Sequence, residues 1–166
     1  MTATANQTLD QPVRRTITVK ASPQLAFRVF TSDIDSWWPR THHIGKSPLK
    51  RVIVEEHAGG RCYSEQEDGT DSDWGRVLVW EPPARFVMAW QIDAQWQYQP
   101  DVEKSSEVEV RFTLEPNGLT RVDLEHRNFA RLGSGFEFMR NAVDSAGGWG
   151  DTLDLYAARV EKAASS

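Results

Sequence analysis

The sequence predicts an α+β domain, a curved antiparallel sheet of seven strands with helices laid against it. Three observations carry that prediction. Between Arg51 and Arg127 apolar residues recur with period two, and turn residues at Gly59-Gly60, Asp68-Gly69, Pro82-Pro83 and Asn117-Gly118 cut the stretch into strand-length runs. The connections between runs are too short for a parallel return, which needs a crossover of roughly a dozen residues, so neighbouring strands run antiparallel. Stripes at helical spacing stand before and after this stretch.

The elements follow in order. Thr16 to Lys20 alternates polar and apolar residues and reads as a first strand. Ser22-Pro23 supplies an N-cap and a proline at the first helical position, and Ala26, Phe27 and Phe30 share one face of the helix that follows. A second short helix is capped by Asp33, carries Ile34, Trp37 and Trp38 on its apolar side, and ends at Pro39. Six strands fit at about 51–57, 61–67, 74–81, 85–92, 106–115 and 119–127. A longer, more polar loop from Ala94 to Ser105 contains Trp96 and Tyr98. Beyond the sheet, Phe136, Met139 and Val143 lie at helical spacing; Gly147-Gly148 interrupts; and Trp149, Leu153, Tyr156 and Val160 form the stripe of a final helix that lies against the sheet.

One hairpin fixes its own register. Val108, Val110, Phe112 and Leu114 form the inner side of one strand, and Val122 and Leu124 must face the same way on the next. A two-residue Asn117-Gly118 turn would set Phe112 opposite Asp123 and put an acid on the core face, so that register fails. A three-residue loop, Pro116-Asn117-Gly118, pairs Phe112 with Val122 and Val110 with Leu124; Pro and Asn suit a type I turn and Gly the left-handed position after it. The same register places His126 on the inner face opposite Val108. Glu107, Glu109, Arg111, Arg121, Asp123 and Glu125 are left as an outer face of cross-strand, solvated charge pairs.

Composition bounds the rest. A chain of 166 residues needs no disulfide or metal staple, since a domain of this size buries roughly 70% of its unfolded surface. Met1 to Gln11 is polar, lacks the apolar core of a secretory signal and reads as a disordered tail, leaving one domain over 12–166. No apolar run approaches the roughly 20 residues that cross a bilayer, and the net charge of −5 is interspersed, without a basic stripe for phosphates. Membrane insertion and nucleic acid are therefore not expected. The single cysteine, Cys62, has no internal partner and lies in a strand without a basic neighbour, so it is read as a buried structural thiol in a reducing, cytoplasmic compartment.

Several stretches, in their order and spacing, carry a resemblance: Val19-Lys20-Ala21-Ser22-Pro23 to Phe27, Trp37-Trp38-Pro39, Gly59-Gly60-Arg61, Asp68-Gly69, Trp74-Gly75-Arg76-Val77, Trp80-Glu81-Pro82-Pro83-Ala84-Arg85, Leu124-Glu125-His126 and Gly147-Gly148-Trp149. Together they resemble the SRPBCC superfamily of START-like, helix-grip domains, and within it the branch similar to the activator of heat shock protein 90 ATPase. The resemblance covers nearly the whole chain after residue 12. It implies the helix-grip fold and a cavity between the sheet and the final helix. One chemistry is not implied, because relatives include lipid carriers, plant allergens, polyketide cyclases and co-chaperone domains.

Within such a cavity the candidate ligand-binding residues are Trp38, Trp90, Trp96, Val110, Phe112, His126, Phe136, Trp149, Leu153 and Tyr156. Seven tryptophans in this chain are a heavy load, and each large aromatic buries about 150–250 Å², so packing and cavity lining compete for them. His126 is the polar candidate, because a neutral imidazole in an apolar cleft can orient a ligand or move a proton; the alternative is a core histidine bonded to backbone or to Tyr156. His42-His43 reads as a solvated loop, since adjacent side chains diverge and no second cluster completes a metal site. Glu55, Glu56, Glu65 and Glu67 read as surface charge, and no phosphate loop, zinc signature or triad spacing is present. No cofactor is expected. The leading reading is a binding or carrier protein for a small hydrophobic or aromatic molecule. A cyclase- or hydrolase-like enzyme using the same cavity is the alternative, and a co-chaperone-like domain acting on a heat-shock protein ATPase is a third. An open edge strand offers a route to a homodimer.

Overall fold

Among residues 10–165, which the computed structural model describes, seven strands form one antiparallel sheet and three α-helices pack against it. The order is β1 (Val13–Val19), α1 (Pro23–Phe30), β2 (Leu49–Val54), β3 (Arg61–Gln66), β4 (Asp71–Glu81), β5 (Arg85–Trp90), β6 (Ser106–Leu114), β7 (Thr120–Arg127), α2 (Phe136–Asp144) and α3 (Asp151–Ala164). Across the sheet the strands run β1-β7-β6-β5-β4-β3-β2, so the first strand closes against the last and β1 and β2 are the edges. Of the expected tail, residues 1–9 lie outside the described residues; Asp10 Oδ1 accepts from the backbone of Ala130, and the Gln11 carbonyl from Arg140.

Local chemistry places these elements. Ser22 Oγ accepts from Leu25 N, Pro23 opens α1, and Ala26, Phe27, Val29 and Phe30 turn inward. The expected second helix is only a 3-10 turn, Ile34–Ser36, without a side-chain cap from Asp33. Its direction is set instead by indoles, because Trp37 Nε1 donates to Val29 O and Trp38 Nε1 to His42 O. Asp35 of this turn accepts from Val52 N and covers part of the β2 edge.

The β6–β7 register is the one the inner faces demand: Phe112 pairs with Val122, Val110 with Leu124 and Val108 with His126. The turn differs from expectation. Asn117 is itself left-handed, at φ 66°, followed by Gly118 at φ 75°, so the last two of the three loop residues use the conformation that Asn and Gly tolerate best. The outer face also differs. Glu109 is buried to 8% exposure because Arg85, Arg111 and Arg127 converge on its carboxylate, which makes the expected solvated pairs a partly desolvated network.

A β-bulge organises the other half of the sheet. Cys62 pairs with Gly75 and Tyr63 with Asp73, leaving Trp74 as the extra residue. In regular pleating Trp74 would point away from the face that Cys62 occupies; the bulge turns it inward, at 4% exposure, while Asp73 stays outside to pair with Arg61. Gly75 is required here, since a Cβ would come within 2.7 Å of the Ala89 carbonyl and 3.2 Å of Cys62 Cβ. Cys62 is fully buried, and burial pushes its thiol pKa up, out of reach of nucleophilic use.

At the C-terminal end, Trp149 does not head the last helix as its spacing suggested. It sits in a π-type turn, Ala146–Gly150, ahead of α3. Gly148 makes that joint, because a Cβ there would come within 2.3 Å of the Val143 carbonyl oxygen and 2.6 Å of that of Ala142. α3 buries Thr152, Leu153, Tyr156 and Val160.

A tryptophan-walled cleft as candidate functional site

Two aromatic groups divide the space between sheet and helices. In the first, Phe27, Phe30, Trp37, Trp80, Phe86, Phe112 and Tyr156 pack with ring centroids 5.1–6.2 Å apart, mostly tilted or edge-to-face. Tyr156 is fully buried within it, and its hydroxyl donates to Ala26 O at 2.7 Å. This group is solid core.

The second group surrounds a cleft of about 480 Å³. Trp38 is its hub. It stacks on Trp74 at 5.6 Å and 13°, and lies 6.4 Å from Trp90 and 6.3 Å from Trp149. Trp96 adds a fifth indole to the lining, from the 93–98 loop. Ala142 and Val143 of α2, the Gly147-Gly148 joint and Thr152 of α3 form the helical wall; Thr41, His42, His43 and Ile44 form another, and Ile92 completes the lining.

Of the ten residues singled out from sequence, Trp38, Trp90, Trp96 and Trp149 line this cleft. Val110, Phe112, Leu153 and Tyr156 do not: all four are buried in the core, Phe112 and Tyr156 as members of the first aromatic group. Phe136 packs half-buried at the start of α2, whose other end reaches the cleft.

His126 faces inward but lies behind the wall, with none of its surface exposed. Trp149 Nε1 donates to its Nδ1 at 3.1 Å, and an indole can only donate, so Nδ1 carries no proton. The proton is on Nε2, which donates to Ser106 Oγ at 2.8 Å. Burial lowers the imidazole pKa to about 3, so it is neutral at pH 7. With both nitrogens engaged, His126 orients the indole of Trp149 rather than meeting a ligand. The hydrogen-bond partners of this buried histidine are Ser106 and Trp149, not Tyr156.

His42 and His43 correct the expectation of a solvated loop, since both line the cleft. The Trp38 indole holds the His42 carbonyl at 2.7 Å and folds the loop back onto the tryptophans. His42 is half-buried 6.2 Å from the Trp38 ring, and burial lowers its pKa. In the cleft lining these two imidazoles are the ionisable side chains; no carboxylate, lysine or arginine contributes. Trp90 Nε1 and His43 Nδ1 are buried without a hydrogen-bond partner. Glu55, Glu56 and Glu65 are engaged at the surface by the Arg61 backbone, Ser32 and Arg51, and Glu67 is exposed. Among the described residues no group of three His, Cys, Asp or Glu side chains is arranged to hold a metal, and no helix is long and apolar enough to cross a membrane.

Fold and cleft together define a helix-grip domain of the SRPBCC type, with the sheet and two C-terminal helices enclosing an aromatic-walled space. The chain belongs to the family described as activator of Hsp90 ATPase homolog 1-like proteins, whose model matches residues 20–161. It is similar to the anthrahydroquino-gamma-pyrone synthase Txn09 at 39% identity, over 90% of this chain and 97% of that one, with a TM-score of 0.64. It is also similar to CalC, a self-sacrificing resistance protein from Micromonospora echinospora, at 26% identity over 93% and 96% of the two chains and a TM-score of 0.63. The protein NE0264 from Nitrosomonas europaea shares the fold at 14% identity, over 91% and 94% of the chains, with a TM-score of 0.64. Comparison with the curated proteins gives no significant match.

Proposed function

We propose that this protein binds a planar, uncharged aromatic molecule of polyketide type in the tryptophan-walled cleft. The observation that carries the reading is that five of the seven tryptophans line one 480 Å³ space without a lysine, arginine or carboxylate. Indole walls reward flat π-systems by stacking, while the absence of fixed charge leaves an ionised ligand without a partner for its desolvation. The volume is within the roughly 300–1,000 Å³ typical of small-molecule sites. Thr41, His42 and His43 supply the few polar groups that would orient a hydroxyl or carbonyl. The similarity to a synthase of an anthrahydroquinone-fused pyrone points the same way.

Tryptophan emission during titration tests this reading. A dihydroxyanthraquinone should quench it saturably, with an affinity well above that for a long-chain fatty acid. Equal affinity for both, or no saturable change with the planar compound, would contradict it.

A second reading, ring closure of the bound molecule, is favoured by the 39% identity to the synthase and by the position of His42. A neutral imidazole beside the ligand can take a proton from a hydroxyl nucleophile, a contribution of about 10²–10⁴ in rate. With a precursor that turns over, His42→Gln should lower kcat by about that factor and leave KM nearly unchanged; an unchanged kcat would remove His42 from the mechanism.

A further inference from the structure

Trp96 is held in a backbone conformation that suits almost any residue type less than it suits glycine or asparagine. Its φ is +61°, in the left-handed region where a bulky side chain is strained. The loop forces this geometry from one side chain: Asp93 Oδ1 accepts from Gln95 N and Gln97 N, Asp93 N donates to Gln97 O, and Trp96 N donates to Asp93 O. Below the loop, Ile92 bridges to Tyr98 and fixes its base. An indole at such a position would be understandable if it were buried, but Trp96 is 53% exposed. The loop accounts for the backbone conformation, but burial in the core does not account for an indole there. What remains is its place on the cleft lining, at a rim where Trp90 and Trp149 behind it are 6% and 3% exposed.

We infer that Trp96 is a specificity-determining residue, a preset aromatic rim that stacks on the outer ring of fused-ring ligands long enough to reach from the inner tryptophans to the cleft mouth. The inference rests on the reading of the cleft as an aromatic-binding site and names the part of it that measures ligand length. Strain kept at a ligand clamp is a recognised use of an unfavoured backbone conformation. Here the loop fixes the backbone that carries the indole before binding, so the loop ordering that a ligand would otherwise have to impose is already done. A single-ring compound can occupy the inner cleft without touching Trp96, whereas a three-ring compound covers its exposed half.

Trp96→Gly separates this role from a structural one, because glycine is relaxed at positive φ. The melting temperature of the variant should hold or rise, while its affinity for a dihydroxyanthraquinone falls on the order of tenfold, the equivalent of about 1.4 kcal/mol of stacking. Affinity for the single-ring methyl salicylate should be unchanged, and Trp96→Phe should restore much of the three-ring affinity. If Trp96→Gly binds the three-ring probe as the wild type does, or loses melting temperature and both affinities together, the inference is overturned while the cleft reading stands. If the wild-type protein binds neither probe, both fall together.

Discussion

His126 sits opposite Val108 on the inner face of β7, as the hairpin pairing requires, and yet it meets no cleft surface. Strand periodicity fixes the face of a residue but not its depth. Which atoms stand in front of it depends on Trp149, twenty-three residues away, whose indole closes over Nδ1. Substituting His126→Ala should leave Trp149 Nε1 and Ser106 Oγ without partners and open a cavity, at a cost of about 2–5 kcal/mol measured by urea denaturation. A pH effect has a definite sign. The folded pKa, about 3, lies below the unfolded value of 6.5, so the unfolded chain binds the proton first and stability is lost as pH falls from 6.5 towards 3. The slope is up to about 1.4 kcal/mol per pH unit, and half-buried His42 adds to it in the same direction. Between pH 6.5 and 5 the His126→Asn variant should show a visibly shallower slope than the wild type; identical slopes would show that His126 is not a buried neutral base. Below that window Glu65, Asp68 and Glu109, whose pKa values are lowered, add their own losses.

Among the elements, β4 shows how one irregularity decides a site. Trp74 belongs to the run 74–81, where alternation assigns it the face opposite Gly75. The bulge between β3 and β4 changes that assignment and brings Trp74 onto Trp38. The glycine beside it is the readable trace of this device, because its missing Cβ lets the Ala89 carbonyl and Cys62 approach. Gly75→Ala should cost about 1–3 kcal/mol through overpacking against backbone that cannot yield. It should also shift Trp74, seen as a change in near-ultraviolet circular dichroism; an unperturbed spectrum and stability would refute the account. The 39–44 segment teaches the complementary lesson. His42 and His43 carry no periodic pattern, and only the bond from the Trp38 indole to the His42 carbonyl four residues on shows that the loop returns over the cleft.

Across the whole molecule, the sheet and its helices bury a continuous aromatic mass, solid at one end and hollow at the other. A ligand bound at the hollow end should therefore stabilise the whole domain by mass action: at a dihydroxyanthraquinone concentration of about 100 times Kd, the protein should gain about 2.7 kcal/mol, read as a rise in melting temperature. No rise with a compound that quenches tryptophan emission would place that quenching outside the folded cleft. The number of strands, their antiparallel order, the inner face of the β6–β7 hairpin and the apolar stripe of α3 were legible in the sequence, because they follow from period, turn chemistry and chain connectivity, all local properties. What only the tertiary structure decided is which indoles wall a space and which fill one. Trp37 and Trp38 are neighbours in sequence, yet one bonds Val29 within the core and the other becomes the hub of the cleft. That division depends on how much volume the phenylalanines of α1, β5 and β6 take up across the sheet, a sum over distant side chains that no stretch of sequence contains by itself.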